Sequence, residues 1–157
     1  MKIQVNVQSE QQASYAFFTK LVKITLGGAV VFWVTTFVTS LLPIAADYRA
    51  AYSNWSAQSV WIGSLFVGII IGCGISYVLL RFFDKLPTRS PMVKSGMLSF
   101  IALVVVTLLV DVPRGFFGPS DIPRAAYWFL IGVTFNIVRF LALGLIIGFL
   151  YKKLQTH

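Results

Sequence analysis

The sequence predicts an all-α integral membrane protein: a four-helix transmembrane bundle of two hairpins, with both termini in the cytoplasm. Three observations predict it. The 157-residue chain is 57% hydrophobic and only 11% charged, whereas a soluble domain carries about 25% charged residues. Four apolar stretches are each long enough to cross a bilayer, which takes roughly 20 residues. The basic residues lie beside alternate ends of these stretches, as they do in membrane proteins of defined orientation.

The whole chain is expected to form one transmembrane domain. A polar segment at residues 1–20 precedes the first span and is expected to lie in the cytoplasm or at the membrane interface. Within it, Ile3, Val5 and Val7 alternate with polar residues, which hints at a short strand or at no ordered structure. Ser9–Gln12 has the form of a helix start, either of an interfacial helix that leads into the membrane or of the first turns of span 1. The four spans are expected at about residues 24–42, 60–83, 96–112 and 127–151, the third being short.

Two connections between spans differ in character. The connection at residues 44–59 carries aromatic side chains, among them Tyr48, which are expected to join an aromatic belt at the membrane boundary. The connection at residues 84–94 is short and basic, and Pro87 and Pro91 keep it non-helical. Contact with lipid phosphates is expected of such a basic loop without specific recognition.

Lys and Arg are distributed unevenly between the two sides of the predicted bundle. Of the 13 basic residues, nine lie beside the termini and the 84–94 connection, three lie on the other side, and Arg139 lies inside the last span. The positive-inside rule therefore places both termini in the cytoplasm and the protein in the cell membrane.

Small residues recur every four positions along the second span, at Ser64, Gly68, Gly72 and Ser76, and the last span carries Gly144 and Gly148. Small residues at this spacing let two helix backbones approach closely in lipid. These six residues are therefore predicted to pack helices together, with the partner helix either in the same chain or in a second protomer.

A weak internal repeat links the two predicted hairpins. The four residues 49–52 recur as residues 124–127, and a Gly-x-x-x-Gly at residues 68–72 recurs at residues 144–148. The offsets are nearly equal, which suggests either two related hairpins in parallel orientation or a chance likeness between apolar, glycine-rich helices.

Arg139 is the most informative residue, because it lies at the centre of the 25-residue stretch 127–151. An arginine at that depth costs about 2.5–3.5 kcal/mol on insertion scales. Asn136 shares its helix face, whereas Asp111 is expected roughly 10–15 Å nearer the outer face. A direct Asp111–Arg139 pair is therefore possible but not favoured. Arg139, Asn136 and Asp111 are the candidate residues of a substrate or ion pathway, and the alternative is that Arg139 only holds the bundle together.

The residue types in the chain argue against most catalytic and metal-binding sites. The only histidine is the last residue, the only cysteine is inside an apolar stretch, and no acid lies in the middle of a span. We therefore expect no enzyme, no cofactor and no metal site. The basic residues at span ends argue against nucleic-acid binding.

Two function classes are favoured over a third, a lipid-acting enzyme that would need two of the outer carboxylates Asp47, Asp111 and Asp121 close together. The first is a transporter or channel-like protein for small or anionic solutes that acts as a homo-oligomer. The alternative is a structural or accessory subunit that binds a partner protein within a larger membrane complex. Membrane lipids are expected contacts in either case.

Overall fold

A computed structural model describes residues 2–52, 56–113 and 122–155, with side chains described for residues 10–51, 56–113 and 124–155. All regular structure within these ranges is helical. Four helices are long and apolar enough to cross a membrane. The predicted all-α class is therefore confirmed, as is the presence of four helices that could span a membrane.

Helix α1 runs unbroken from Lys2 to Ser40. The strand suggested for residues 3–7 is therefore wrong, because those residues belong to the same helix as the first span. The sequence has no glycine before Gly27 and no proline before Pro43, so nothing interrupts the helix once its apolar part has formed. Its 39 residues measure roughly 58 Å at about 1.5 Å per residue, about twice the thickness of the hydrocarbon core.

A short helix, α2 (Pro43–Tyr52), occupies most of the first connection, where the sequence predicted none. Pro43 begins it, as its fixed φ angle favours at a helix start. Ala45 is buried and Tyr48 half-buried, so α2 lies against the spans rather than projecting away from them. Ten residues of mixed polarity are too few to produce the signal of a span.

Helix α3 (Ala57–Arg81) begins after Ser56, whose Oγ accepts a hydrogen bond from the Ser59 N–H at 3.2 Å. One 3₁₀ turn (Phe83–Lys85) follows. Helix α4 (Pro91–Val106) begins at a proline and continues through one π turn (Thr107–Asp111). The third candidate span, Pro91–Asp111, thus has 21 residues, and its helix begins five residues before the span expected at residues 96–112. Helix α5 (Ile122–Gln155) completes the fold.

Helix α3 packs antiparallel along α1 through its predicted glycines. A methyl group at Gly68 would lie 3.3 Å from the Ala29 Cα, and one at Gly72 would lie 3.4 Å from the Thr25 carbonyl oxygen. The two backbones are therefore in near contact. The partner helix for this glycine pair belongs to the same chain.

Helix α5 packs still more closely on α4. A methyl group at Gly148 would lie 2.7 Å from the Met92 Cα, and one at Gly144 would lie 3.3 Å from the Gly96 Cα. The Ser95 hydroxyl donates to the Gly144 carbonyl at 2.6 Å. Small residues on both helices thus allow a hydrogen bond between a side chain and the opposite backbone.

The two pairs of helices share one arrangement. In each, two glycines four residues apart on the later helix face two small residues four apart on the earlier helix. The pairs are Gly68 and Gly72 against Ala29 and Thr25, and Gly144 and Gly148 against Ser99 and Ser95.

Helix α1 joins the two pairs because it contacts both α3 and α5, whereas α3 touches α4 and α5 only slightly. The core lies at the α1–α5 contact, where the Phe32 and Phe140 rings meet edge-on with centroids 5.7 Å apart. The most deeply buried side chains include Ile24, Leu79, Phe140, Leu143 and Ile147. Apolar side chains therefore fill the space between the helices.

The end of the bundle where α3 and α5 end and α4 begins is called the basic end. It carries Arg81, Lys85, Arg89, Lys94, Lys152 and Lys153. Lys94 is 3% exposed, because its Nζ donates to the Phe83 carbonyl and lies 3.5 Å from the centroid of the Phe83 ring. That ring stacks on Tyr151 with centroids 4.9 Å apart. Lys94 therefore holds the α3–α4 connection against the end of α5.

Candidate functional site

The π turn at the end of α4 directs Asp111 toward α5. Within it, the Val112 N–H donates to the Thr107 carbonyl five residues earlier. A π turn holds more residues than an α turn, so it changes which side chains face inward. Leu109 is 72% exposed, whereas Asp111 is 5% exposed. The apolar side chains of the turn thus face outward while the carboxylate is buried.

Asn136 of α5 lies between Asp111 and Arg139 and bonds to both. Its Nδ2 donates to Asp111 Oδ2 at 2.8 Å, and its Oδ1 accepts from Arg139 Nη1 at 3.4 Å. The structure thus brings together the three residues that the sequence singled out for a pathway. The side-chain amide of Asn136 connects the carboxylate to the guanidinium.

Arg139 is half-buried near the middle of α5. Its Nε atom is buried and has no hydrogen-bond partner among the described residues. The 3.4 Å distance to Asn136 is long beside the ~2.7–2.9 Å of a strong charge-assisted hydrogen bond. The Asp111 carboxylate lies near enough to act on the guanidinium electrostatically, and the Tyr48 side chain is also close to it. Arg139 is thus held near the carboxylate while part of its hydrogen-bonding capacity stays unused.

Tyr48 is a member of this cluster that the sequence did not predict. Its ring lies 6.3 Å from Trp128 and 6.1 Å from Phe135, centroid to centroid. Its hydroxyl oxygen would lie 2.5 Å from a methyl group at Gly132. Tyr48 therefore packs on α5 over a glycine, one helical turn from Asn136, rather than serving only as a residue of an aromatic belt.

The remaining predicted residues lie away from this cluster. Gly68 and Gly72 lie on the α1–α3 contact, and Gly144 and Gly148 on the α4–α5 contact. Ser64 is half-buried, and its hydroxyl donates to the Trp61 carbonyl at 2.8 Å. Ser76 is fully buried. The structure therefore separates a packing set from the polar cluster of Asp111, Asn136, Arg139 and Tyr48.

The polar cluster combines one guanidinium with one carboxylate, so its charges balance. The described ranges hold no group of three His, Cys, Asp or Glu side chains placed to share a metal ion. Comparison of the chain with protein-family models, with curated proteins and with solved structures finds no match. The chemistry of the cluster therefore has to be argued from its own groups. A guanidinium offers only hydrogen-bond donors and a permanent positive charge, which suit an anion.

Proposed function

We propose that the protein is a transporter or channel-like protein for small anionic solutes, and that it acts as a homo-oligomer in the cell membrane with both termini in the cytoplasm. The observation that carries the proposal is the state of Arg139. Its Nε is buried without a partner among the described residues, and its Nη1 makes one long hydrogen bond. A guanidinium in this state has hydrogen-bond donors left for an incoming anion.

Asp111 balances the charge of Arg139 when no anion is bound, and Asn136 accepts a hydrogen bond from it. An unpaired charge within a bilayer is unfavourable, and a nearby carboxylate balances it. Because Asn136 lies between the two groups, the carboxylate stabilises the guanidinium without occupying all of its donors. An arriving anion takes over part of that role, so binding and release require only small rearrangements.

Tyr48 packs over Gly132, one helical turn from Asn136 on the side away from the basic end. It belongs to α2, a short helix with few contacts to α1 and α5. A small displacement of α2 would remove the Tyr48 ring from Gly132. We therefore assign Tyr48 the role of limiting access to Arg139 from that side.

Assembly of several copies supplies the pathway. The space between the helices is filled by a core that includes Phe32, Phe140 and Leu143, so a single chain has little room for solute. Both termini lie in the cytoplasm in this account because the positive charge is concentrated at the basic end.

Flux through proteoliposomes tests the proposal. Vesicles containing the full chain are loaded with chloride, phosphate or acetate in turn, and efflux is recorded for the wild type and for Arg139→Gln. We expect the flux through the variant to be at least tenfold lower than through the wild type, while its melting temperature stays within a few degrees of the wild-type value. The matched control is Arg81→Gln, which removes an exposed arginine at the end of α3 and should retain wild-type flux.

Two results would overturn the transport proposal. Equal flux in the wild type and Arg139→Gln would remove Arg139 from the pathway. No flux of any of the three anions, together with a second protein in fixed ratio in the gently solubilised sample, would favour the accessory-subunit function.

A further inference from the structure

An apolar groove runs along the outside of the α4–α5 pair and is called the α4–α5 groove. It has a volume of about 460 Å³ and is lined, among others, by Gly96, Phe100, Val104, Ile137 and Leu141. A second apolar hollow of about 450 Å³, lined by Val93 and Met97, shares Gly96 and Phe100 with it. The second hollow is formed by α4 residues alone and lies nearer the basic end, where α4 begins.

Gly96 shapes this groove. A methyl group at Gly96 would meet no atom within 4 Å, so the space beside it is not used by the chain's own side chains. Phe100 and Leu141 beside it are 64% and 60% exposed. The groove is therefore an indentation in a surface that faces lipid.

The length of the groove suits one lipid chain anchored at the basic end. From Gly96 to Leu108 the groove follows α4 for roughly 18 Å at about 1.5 Å per residue. One leaflet contributes about half of the ~30 Å hydrocarbon core. An acyl chain that enters beside Gly96 can thus lie in the groove over the full depth of its leaflet.

The mouth of the groove is positively charged. Arg89 precedes α4 by two residues and is exposed. Helix α5 approaches there, since Gly148 lies against Pro91 and Met92, and Lys152 and Lys153 follow one turn later. Asp84 is the only acidic residue of the 84–94 connection, and the sequence places none after Asp121. A negatively charged headgroup therefore has complementary charge at the place where its acyl chain enters.

We propose that the α4–α5 groove is a binding site for an anionic phospholipid, with one acyl chain along Gly96 and Val104 and the phosphate at Arg89 and Lys152. The positive mouth also argues against a second copy in the groove through a two-fold contact, since that would bring the same basic residues together. The site does not depend on the proposed transport function, because it shares no residue with the Arg139 cluster.

Native mass spectrometry of the detergent-solubilised full chain tests this site. The protein is titrated with palmitoyl-oleoyl phosphatidylglycerol and with the matched phosphatidylcholine. We expect one phosphatidylglycerol per chain to bind about twenty-fivefold more tightly than phosphatidylcholine, as two basic side chains contributing about fivefold each would give. Arg89→Gln combined with Lys152→Gln should remove this preference.

Glycine substitutions test the groove itself. Gly96→Leu fills the groove and should weaken phosphatidylglycerol binding at least tenfold. Gly74→Leu is the matched control, because Gly74 is also a helical glycine with open space beside it but lies on α3, away from the groove. Should Gly96→Leu fail to fold, Val104→Trp fills the groove from an exposed position and replaces it.

Three results would overturn the proposal. The first is equal affinity for the two lipids. The second is equal lipid binding in Gly96→Leu and Gly74→Leu. The third is that Gly96→Leu still binds the lipid but no longer forms an oligomer that the wild type forms, which would assign the groove to a second copy of the chain.

Discussion

The contact between α4 and α5 predicts a large effect of the smallest substitution at Gly148. In Gly148→Ala the added methyl carbon would lie 2.7 Å from the Met92 Cα, whereas carbon atoms in contact prefer about 3.5–4.0 Å. The Met92 Cα is a backbone atom, so a side-chain rotation cannot relieve this overlap. The two helices must separate by about 1 Å, which also weakens the Ser95–Gly144 hydrogen bond of 2.6 Å.

Overpacking of this kind typically costs about 1–3 kcal/mol, more than the ~1 kcal/mol that alanine gains over glycine in a helix. We therefore expect Gly148→Ala to lower the free energy of unfolding by about 1–3 kcal/mol. The assay is reversible unfolding in mixed micelles with increasing dodecyl sulfate, followed by circular dichroism. Gly96→Ala is the control, because nothing lies within 4 Å of its added methyl, and it should be neutral or stabilising.

Gly68→Ala supplies an intermediate point, since its closest contact is 3.2 Å. Loss of stability should follow the order Gly148, Gly68, Gly96. Equal stability of all three variants would contradict the close helix contacts from which the order is derived.

Two further predictions concern buried polar contacts. Asn136→Ala removes the 2.8 Å hydrogen bond to Asp111 and should lower the free energy of unfolding by about 1–3 kcal/mol. The control Thr134→Ala removes an exposed hydroxyl bonded within its own helix and should lower it by less than about 0.5 kcal/mol. Equal losses in the two variants would argue against the Asn136–Asp111 hydrogen bond. Lys94→Met removes a buried ammonium that contacts a loop carbonyl and an aromatic ring and should cost about 1–3 kcal/mol. The control is Lys85→Met, because the Lys85 ammonium is exposed and lies 5.4 Å from the nearest ring centroid, so the melting temperature should hardly change. A larger loss of stability in Lys85→Met than in Lys94→Met would refute the role of Lys94 in holding the connection to α5.

Most of the fold could be predicted because the strongest signals in the sequence are the ones that determine it. Apolar stretches that lack charges specify helices in lipid, where each backbone polar group must find a partner within its own segment. The glycine spacing at Gly68 and Gly148 indicated close helix contacts, and both glycines lie on such contacts. The sequence could not show which helix each glycine faces, since spacing describes one helix only.

Helix ends and short elements were less predictable. The polar residues before span 1 continue its helix because glycine and proline are absent there, and polarity alone does not end a helix. Helix α2 was missed because ten residues of mixed polarity resemble a loop. The first error came from interpreting the alternation of Ile3, Val5 and Val7 as a strand, and the second from interpreting mixed polarity as a loop.

The polar cluster was found only in part. Arg139 and Asn136 were recognisable because polar residues are rare within a span. The link to Asp111 depends on a π turn between Thr107 and Asp111, and nothing in the sequence TLLVD indicates one. Tyr48 was interpreted as an interfacial aromatic, since the glycine that accommodates it, Gly132, lies 84 residues later.

Anion-dependent thermal stability tests anion binding at Arg139 directly, without requiring transport. The melting temperatures of the wild type and of Arg139→Gln are measured as chloride or acetate replaces a bulky sulfonate at constant ionic strength. A ligand that binds only the folded state stabilises it by about 2.7 kcal/mol at a hundred times its dissociation constant. The account predicts that the wild type is stabilised as either anion rises, while Arg139→Gln is unaffected. Parallel curves for the two proteins, whether flat or rising, would contradict it.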